Sequence, residues 1–193
     1  MATRQRIIEA TGEQILAAGI GGTTLDTVRA ATLTSKSQLF HYFPGGKTEL
    51  VREVATWEGR QLWEAQEPYI RDLSTWESWE AWRTSLIDYY LGLGRWACPI
   101  GSLANQAAAT DPALEKMIAV GMADWRLALA DGVRRMQTGH LVHESADADR
   151  IAIAILASIQ GGLILSQPER SAHPLETALD VALDVLYNAA VTT

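Results

Sequence analysis

The segment from Ser35 to Phe43 combines side chains that could contact DNA bases from one face of a short helix. If the segment is helical, Leu39 and Phe43 lie four residues apart and both face the protein interior. The residues left to face outward are polar: Lys36, Ser37, Gln38, His41 and Tyr42. A slim helix with a polar front and an apolar back can enter the major groove and contact base edges. The same pattern is also typical of a solvated helix face, so spacing alone leaves both interpretations open.

The sequence around this segment predicts three N-terminal helices. The first extends from about Thr3 to Ala18, where glycines follow. The second follows Thr24, a favoured N-cap residue. The third starts with the capping-box spacing Ser35-x-x-Gln38 and ends at Pro44-Gly45-Gly46. Ile8, Thr11, Ile15 and Ala18 make one face of the first helix, and Leu25, Val28 and Ala31 form the predicted buried stripe of the second. The apolar side of the third helix consists of Leu39, Phe40 and Phe43. Two short helices joined by a tight turn after a longer one form the helix-turn-helix plan.

The rest of the chain also has helical spacing of apolar residues, which predicts an all-α protein of about nine helices. A long fourth helix is expected over residues 47–69, and the capping-box spacing Ser74-x-x-Glu77 predicts the start of a fifth. A break at Cys98-Pro99-Ile100-Gly101 precedes a short helix over 102–109. A helix from Pro112 to about Met136 and two final helices, 147–167 and 174–190, complete the chain. We predict a domain boundary after residue 46, between an N-terminal helix-turn-helix domain at 1–46 and a helical domain at 47–193.

The charge distribution separates the N-terminal segment from the rest. The whole chain of 193 residues has a formal net charge of −7. Residues 1–52 contain six basic and four acidic side chains, a net charge of +2, whereas residues 53–193 have a net charge of −9. A weakly basic head on an acidic body favours contact with phosphates through one end only.

The register of the N-terminal residues resembles the signature of the TetR family of transcriptional regulators. The matching segments are Thr24-Leu25-Asp26-x-Val28-x-x-Ala31, Ser35 to Phe43, and Gly46-Lys47-x-x-Leu50. Two further segments, Cys98 to Ala104 and Gln160 to Gln167, resemble the LmrA/YxaF-like branch. The resemblance implies a three-helix head that binds double-stranded operator DNA and a helical body that binds a small-molecule effector and forms a homodimer.

Family roles transfer to individual positions of this sequence. The resemblance implies that Ser37, Gln38 and His41 approach base edges, and that Tyr42, Lys47 and groups near Thr24 contact phosphates. Phe40 stands where the family usually has tyrosine, so that phosphate hydrogen bond is absent. Leu33 and Thr34 replace the usual glycine and valine of the turn. Because glycine adopts a left-handed backbone at little cost, Leu33 is expected to strain or alter the turn.

The sequence contains seven tryptophans. They either fill the core or line a pocket for a flat apolar effector. The branch resemblance implies a flat aromatic or flavonoid-like effector. Core packing is the simpler interpretation for most of them. As residues lining an effector pocket we predict Trp63, Trp82, Trp96 and Trp125, with the amides of Asn105 and Gln160 orienting the ligand.

The last two helices carry small residues at intervals of three and four. Such residues allow close helix packing, either within the chain or in the two-fold interface that the resemblance implies. The residues concerned are Ala152, Ala154, Ala157, Ser158 and Gly161, then Ala178, Leu179, Ala182, Leu183, Val185 and Leu186.

Other classes of function have weaker support. The sequence contains no nucleophile elbow, P-loop or dinucleotide-binding glycine motif, so we expect no enzyme activity, no catalytic residues and no cofactor. His140 and His143 lie in a polar segment that we interpret as a solvated loop with no metal, and Cys98 as a structural thiol. The most apolar stretch, Ile151 to Ile159, is shorter than the roughly 20 residues that cross a bilayer, so we expect a cytoplasmic protein with no membrane partner.

The sequence therefore favours a repressor that a small apolar or aromatic ligand releases from a palindromic operator. Two alternatives remain open. One is a regulator that activates, or whose ligand strengthens DNA binding. The other is a ligand-binding helical protein whose head has lost DNA binding through the altered turn at Leu33.

Overall fold

The computed structural model describes residues 2–94, 96–107 and 111–191, and within these residues the chain is all-α, as predicted. Nine α-helices and one 3₁₀ turn, Tyr69–Arg71, are its regular elements, with no strand in the described part. The helices are α1 Thr3–Gly22, α2 Leu25–Thr32, α3 Lys36–Tyr42, α4 Gly46–Ala65, α5 Trp76–Leu93, α6 Pro99–Ala107, α7 Pro112–Thr138, α8 Ala148–Glu169 and α9 His173–Tyr187.

The chain forms two compact units. The first comprises Met1–Gln61 and Pro99–Ala119, and the second Leu62–Cys98 and Val120–Thr193. The predicted boundary after residue 46, which separates DNA-binding from effector-binding functions, stays a prediction.

Three N-terminal helices share one apolar core in the first unit. Its fully buried side chains are Ile7, Ile8, Val28, Leu39 and Phe43, with Ile15 almost fully buried. The predicted burial of Ala31 is wrong, since it is exposed. Ala18, on the predicted face of α1, and Phe40, on the predicted apolar side of α3, are exposed too. Thr32, not Ala31, continues the buried side of α2, because it lies one full turn after Val28 and its hydroxyl donates to the Val28 carbonyl at 2.8 Å.

A kink at Gly19 explains how α1 ends. Gly19 has φ 73° and ψ 172°, which are not helical values. The helix is therefore interrupted at Gly19, where the sequence predicted its end, and then continues to Gly22. The kink frees the backbone N–H of Ile20, which donates to the Gln106 side-chain oxygen in α6 at 2.6 Å. A donor that loses its helical partner is thereby satisfied from another helix of the same unit.

Asp111 fixes the start of α7, where Pro112 stands at the first helical position as predicted. Its carboxylate accepts the backbone N–H groups of Ala113 and Leu114. It also forms two hydrogen bonds with the guanidinium of Arg52 in α4, at 2.7 and 2.9 Å. These donors, Arg52 first among them, lower the pKa of Asp111.

Two predicted helix starts in the middle of the chain are wrong. α5 is capped by Thr75 and Ser78, one residue later than the predicted Ser74 and Glu77, because Thr75 is the residue with extended backbone before Trp76. The predicted break at Cys98 to Gly101 is already helical from Pro99 onward. Proline is tolerated in a first helical turn since its missing N–H has no partner there. Residues 108 and 109 of the predicted short helix lie outside the described residues.

The second unit brings α8 and α9 into close contact. A Cβ placed on Gly162 would lie 2.8 Å from the Cα atom of Leu175 in α9. Of the small and apolar residues predicted at a helix interface, Ala152, Leu179, Ala182, Leu183 and Leu186 are buried within this chain. For these residues the contact is therefore intramolecular.

One described helix, α8, is long and apolar enough to meet the length and composition criteria for crossing a bilayer. About 39% of its most apolar window is buried inside the protein. Core helices of soluble proteins meet the same criteria, so this feature is weak evidence for a membrane.

Candidate DNA-binding interface

Reciprocal hydrogen bonds between side chains and backbone fix the starts of α2 and α3. Thr24 is the N-cap of α2, as predicted, and exchanges hydrogen bonds with Thr27. Ser35 caps α3 and forms the predicted capping box with Gln38. Each cap satisfies backbone donors that a short helix otherwise leaves open, so the orientation of α3 is well defined by local contacts.

The turn between α2 and α3 keeps a left-handed residue without glycine. Leu33 has φ 51° and ψ 39°, and its side chain is 91% exposed. Its backbone N–H donates to the Arg29 carbonyl, and the hydroxyls of Thr32 and Thr34 are 2.8 Å apart beneath the turn. Leu33 therefore bears backbone strain, because it adopts a left-handed conformation in this turn although it has a Cβ.

The outer face of α3 carries most of the side chains predicted to face DNA. Lys36, Ser37, Gln38 and His41 are exposed over the buried Leu39. Tyr42 is half-buried and meets the His41 ring edge-on, with centroids 5.2 Å apart. Phe40, which the sequence analysis assigned to the apolar side of α3, is 39% exposed and adds an apolar side chain to this surface. A rotation of 100° per residue from the buried Leu39 already carries position 40 off the core face.

Lys47 and Thr24, the two predicted phosphate contacts outside α3, lie in the first turn of α4 and at the N-cap of α2. Lys47 is half-buried and Thr24 is exposed. Just before Lys47, Gly46 takes φ 65°, a conformation that favours glycine. The Gly45 N–H donates to the Glu49 carboxylate at 2.6 Å, so an acidic side chain already occupies a donor at this helix start.

Comparisons with known proteins agree with this arrangement. Residues 93–181 match the sequence model described as the C-terminal domain of LmrA/YxaF-like transcriptional regulators. An uncharacterized HTH-type regulator in the lacX 3′ region of Lactococcus lactis subsp. lactis is 26% identical, covering 93% of this chain and 90% of the relative. The HTH-type regulator YxaF of Bacillus subtilis is 22% identical, covering 90% and 89%. The chain is therefore similar to TetR-type transcriptional regulators over most of its length.

Solved structures of TetR-family regulators share the fold over nearly the whole chain. A regulator from Chloroflexus aurantiacus has a TM-score of 0.82 at 21% identity, covering 97% of this chain and 96% of its own. One from Cytophaga hutchinsonii has a TM-score of 0.84 at 18% identity, covering 99% and 96%. These neighbours confirm the predicted fold, an N-terminal helix-turn-helix head followed by a helical body.

The tryptophans predicted to line an effector pocket occupy different environments. Trp82 is fully buried, and its indole N–H donates to the Gln66 side-chain oxygen at 2.8 Å. Trp125 is also buried, at 3% exposure, but its indole nitrogen has no hydrogen-bond partner among the described residues. Trp63 and Trp96 are half-buried. Trp82 is therefore hydrogen-bonded within the core, whereas the described part of the chain supplies no acceptor to Trp125.

The two side-chain amides predicted to orient the ligand, those of Asn105 and Gln160, belong to different units of the chain. Asn105 is exposed on α6 in the first unit. Gln160 lies in the second unit and lines an apolar surface groove of about 450 Å³ between α7 and α8. The groove is lined by Met122, Ala123, Arg126, Ile153, Leu156, Ala157 and Gln160. The amide nitrogen of Gln160 is buried, and no residue that the structure describes forms a hydrogen bond with it.

Sequence analysis missed the other residues of this groove, although Ile153 carried a signal. Ile151, Ile155 and Ile159 follow one another at intervals of four and are buried. Ile153 lies halfway between two of them, on the opposite side of the helix, and is exposed. An apolar residue out of phase with a buried stripe indicates a second apolar surface.

Among the described residues, no group of three or more His, Cys, Asp or Glu side chains is arranged to hold a metal ion. His140 and His143 line a polar surface pocket with Glu144. Cys98 is buried.

Proposed function

We propose that this TetR-family regulator is a cytoplasmic repressor that binds a palindromic operator as a homodimer and leaves it when a small apolar or aromatic ligand binds. The observation that carries the DNA-binding part is the capped α3, which presents Lys36, Ser37, Gln38 and His41 over the buried Leu39. In this proposal Ser37, Gln38 and His41 contact base edges, and Tyr42, Lys47 and Thr24 contact phosphates.

The geometry of the turn supports DNA binding over the alternative of a head that has lost it. Leu33 adopts the left-handed conformation that a glycine would take at this position. The departure from the family sequence is therefore absorbed by one backbone conformation, and α3 keeps its cap and its buried anchor.

Dimerisation through α8 and α9 is supported by the apolar side chains that these helices leave exposed. They are Ile153, Ile164 and Leu165 on α8 and Val181 and Val185 on α9. A face of this kind on a soluble protein favours association. A dimer that spaces two recognition helices about 34–36 Å apart meets successive major grooves, which is the reason to propose a palindromic operator.

The effector part of the proposal is supported by polar groups left unpaired in the second unit. Two buried donors have no hydrogen-bond partner among the described residues: the indole nitrogen of Trp125 and the amide nitrogen of Gln160. Buried donors are usually satisfied, so a ligand with acceptor atoms would stabilise this region. Release requires that the ligand bind the DNA-free conformation more tightly than the DNA-bound one.

The test is a gel shift on the DNA upstream of the protein's own gene, with the double variant Gln38→Ala/His41→Ala. The wild type should shift this DNA, and the double variant should lose operator choice, at about 1–3 kcal/mol per good base contact removed. A matched control is Glu115→Ala/Lys116→Ala, two exposed residues of α7. If both variants bind the DNA equally well and retain their helicity, α3 does not recognise the operator bases.

The same DNA separates the repressor from its alternative within the family. An aromatic ligand found by indole fluorescence should weaken the shift if the protein is released by its effector. A ligand that strengthens the shift identifies an effector-dependent DNA binder instead.

A further inference from the structure

The side-chain amide oxygen of Gln38 already accepts a hydrogen bond within the protein. The backbone N–H of Ser35 donates to Gln38 Oε1 at 2.9 Å, and the Gln38 N–H donates in return to the Ser35 hydroxyl at 3.1 Å. A backbone N–H can only donate, so the amide atom that faces it must be the oxygen. The amide nitrogen Nε2 is left without a partner among the described residues.

A glutamine that is free to rotate recognises adenine with both ends of its amide, the oxygen accepting from N6 and the nitrogen donating to N7. Here the oxygen lies beside the backbone at the start of α3, held by the cap. Turning it to a base would open the capping box and leave the Ser35 N–H without this acceptor. A helix of seven residues has few other contacts to compensate for that loss.

The surroundings of Gln38 are also rich in donors. Lys36 carries three donors and no acceptor, and the seven residues of α3 include no Asp or Glu. The nearest acidic side chains in sequence are engaged elsewhere, Asp26 with Arg29 and Glu49 with the Gly45 N–H. Lys36 therefore adds donors and no acceptor beside Gln38, whereas Ser37 and His41 can both donate and accept. The base edge that complements Lys36 and the amide nitrogen of Gln38 must offer acceptors.

We propose that Gln38 acts as a hydrogen-bond donor through Nε2 and, with Lys36, specifies guanine in each operator half-site. Guanine is the base that presents two acceptors, O6 and N7, in the major groove. This inference rests on the proposed function, since it assigns a base to the interface argued above. Its distinctive content is that the capping box determines which end of the amide is available to DNA.

The test begins with random duplex DNA enriched on the wild-type protein. The base pair read by Gln38 is the position at which Gln38→Ala loses its preference. We expect guanine there, and we expect adenine or 7-deazaguanine at that position to weaken wild-type binding about tenfold, within the range of one good base contact. The binding of Gln38→Ala to the same DNAs should change little.

Gln38→Glu is the discriminating variant, because glutamate keeps the acceptor for the Ser35 N–H and removes the donor. Helicity and thermal stability should match wild type. Its selected base should change from guanine to cytosine on the same strand, because a carboxylate accepts from cytosine N4.

Three results would overturn the inference. Selection of adenine, with loss of affinity when its 6-amino group is removed, would show that the amide oxygen reaches the base. An unchanged base preference in Gln38→Glu, or in Gln38→Ala, would show that Gln38 does not read this pair. Failure of the wild type to enrich any DNA would instead reject the proposed function, and the inference with it.

Discussion

Leu33 shows how a single residue accommodates a fold that usually relies on glycine at this point. Its left-handed backbone costs roughly 1–2 kcal/mol for a residue with a Cβ. Its side chain is almost fully exposed and contributes little packing to offset that cost. The caps at Thr24 and Ser35 and the buried Thr32 and Thr34 hydroxyls hold the turn from both sides. The strain is therefore local and does not displace α3.

Replacing Leu33 with glycine should stabilise the protein by up to about 1 kcal/mol, because relief of left-handed strain exceeds the entropy that glycine adds to the unfolded chain. Chemical denaturation measures the free energy of unfolding. Leu33→Ala is the matched control, since it removes the exposed side chain and keeps the Cβ. Equal stabilities for the alanine and glycine variants would mean that Leu33 bears no backbone strain.

Lys47 is expected to act through phosphate alone. Lys47→Ala should weaken binding to all DNA sequences alike and reduce the slope of log affinity against log salt by about one unit per contact, about two per dimer. Titrations of operator and unrelated DNA at several salt concentrations measure both effects. A loss confined to one operator base pair would contradict this role.

At the scale of helices, the packing of α8 on α9 depends on the absence of side chains at a few positions. Two adjacent glycines of α8 differ in this respect. Gly162 faces the backbone of α9, whereas a Cβ on Gly161 would meet nothing within 4 Å. The contact between the helices therefore requires a small residue at one position and tolerates a side chain at the next.

Gly162→Ala should destabilise the protein by about 1–3 kcal/mol, because the added methyl group overpacks the contact with Leu175. Gly161→Ala should be neutral or stabilising by up to about 1 kcal/mol, since alanine is the better helix former. Thermal and chemical unfolding of the two variants provide the comparison. Similar losses in both would show that helix propensity, and not the α8–α9 contact, governs these positions.

At the scale of the whole molecule, α8 and α9 each have one side buried within the chain and another side exposed, and the exposed side is the one that we propose for association between chains. Ala182 is buried inside the chain, but its neighbour Val181 is 60% exposed. A charge at Ala182 would therefore disrupt folding, whereas a charge at Val181 tests association. The choice between these two adjacent positions follows from the structure.

Val181→Glu should yield a folded monomer that binds operator DNA weakly, because a charge on the apolar face opposes its burial between subunits. Analytical ultracentrifugation at micromolar concentration measures the oligomeric state. Val120→Glu on α7, where the valine is 52% exposed, is the matched control. A wild-type monomer, or a dimeric Val181→Glu variant, would contradict an interface at this face of α9.

The sequence by itself determined the helical class, the caps at Thr24 and Ser35, and the polar front of α3 over Leu39. These features depend on contacts within a few residues, which helical periodicity and capping chemistry describe. The resemblance to the family added the proposed DNA-binding role of the three N-terminal helices. Only the tertiary structure decided that Leu33 is strained and the turn unaltered, that Trp82 is bonded to Gln66 in the core, and that Ala182 packs within its own chain. These outcomes depend on which helices approach one another and how closely, and spacing along a single helix does not contain that information.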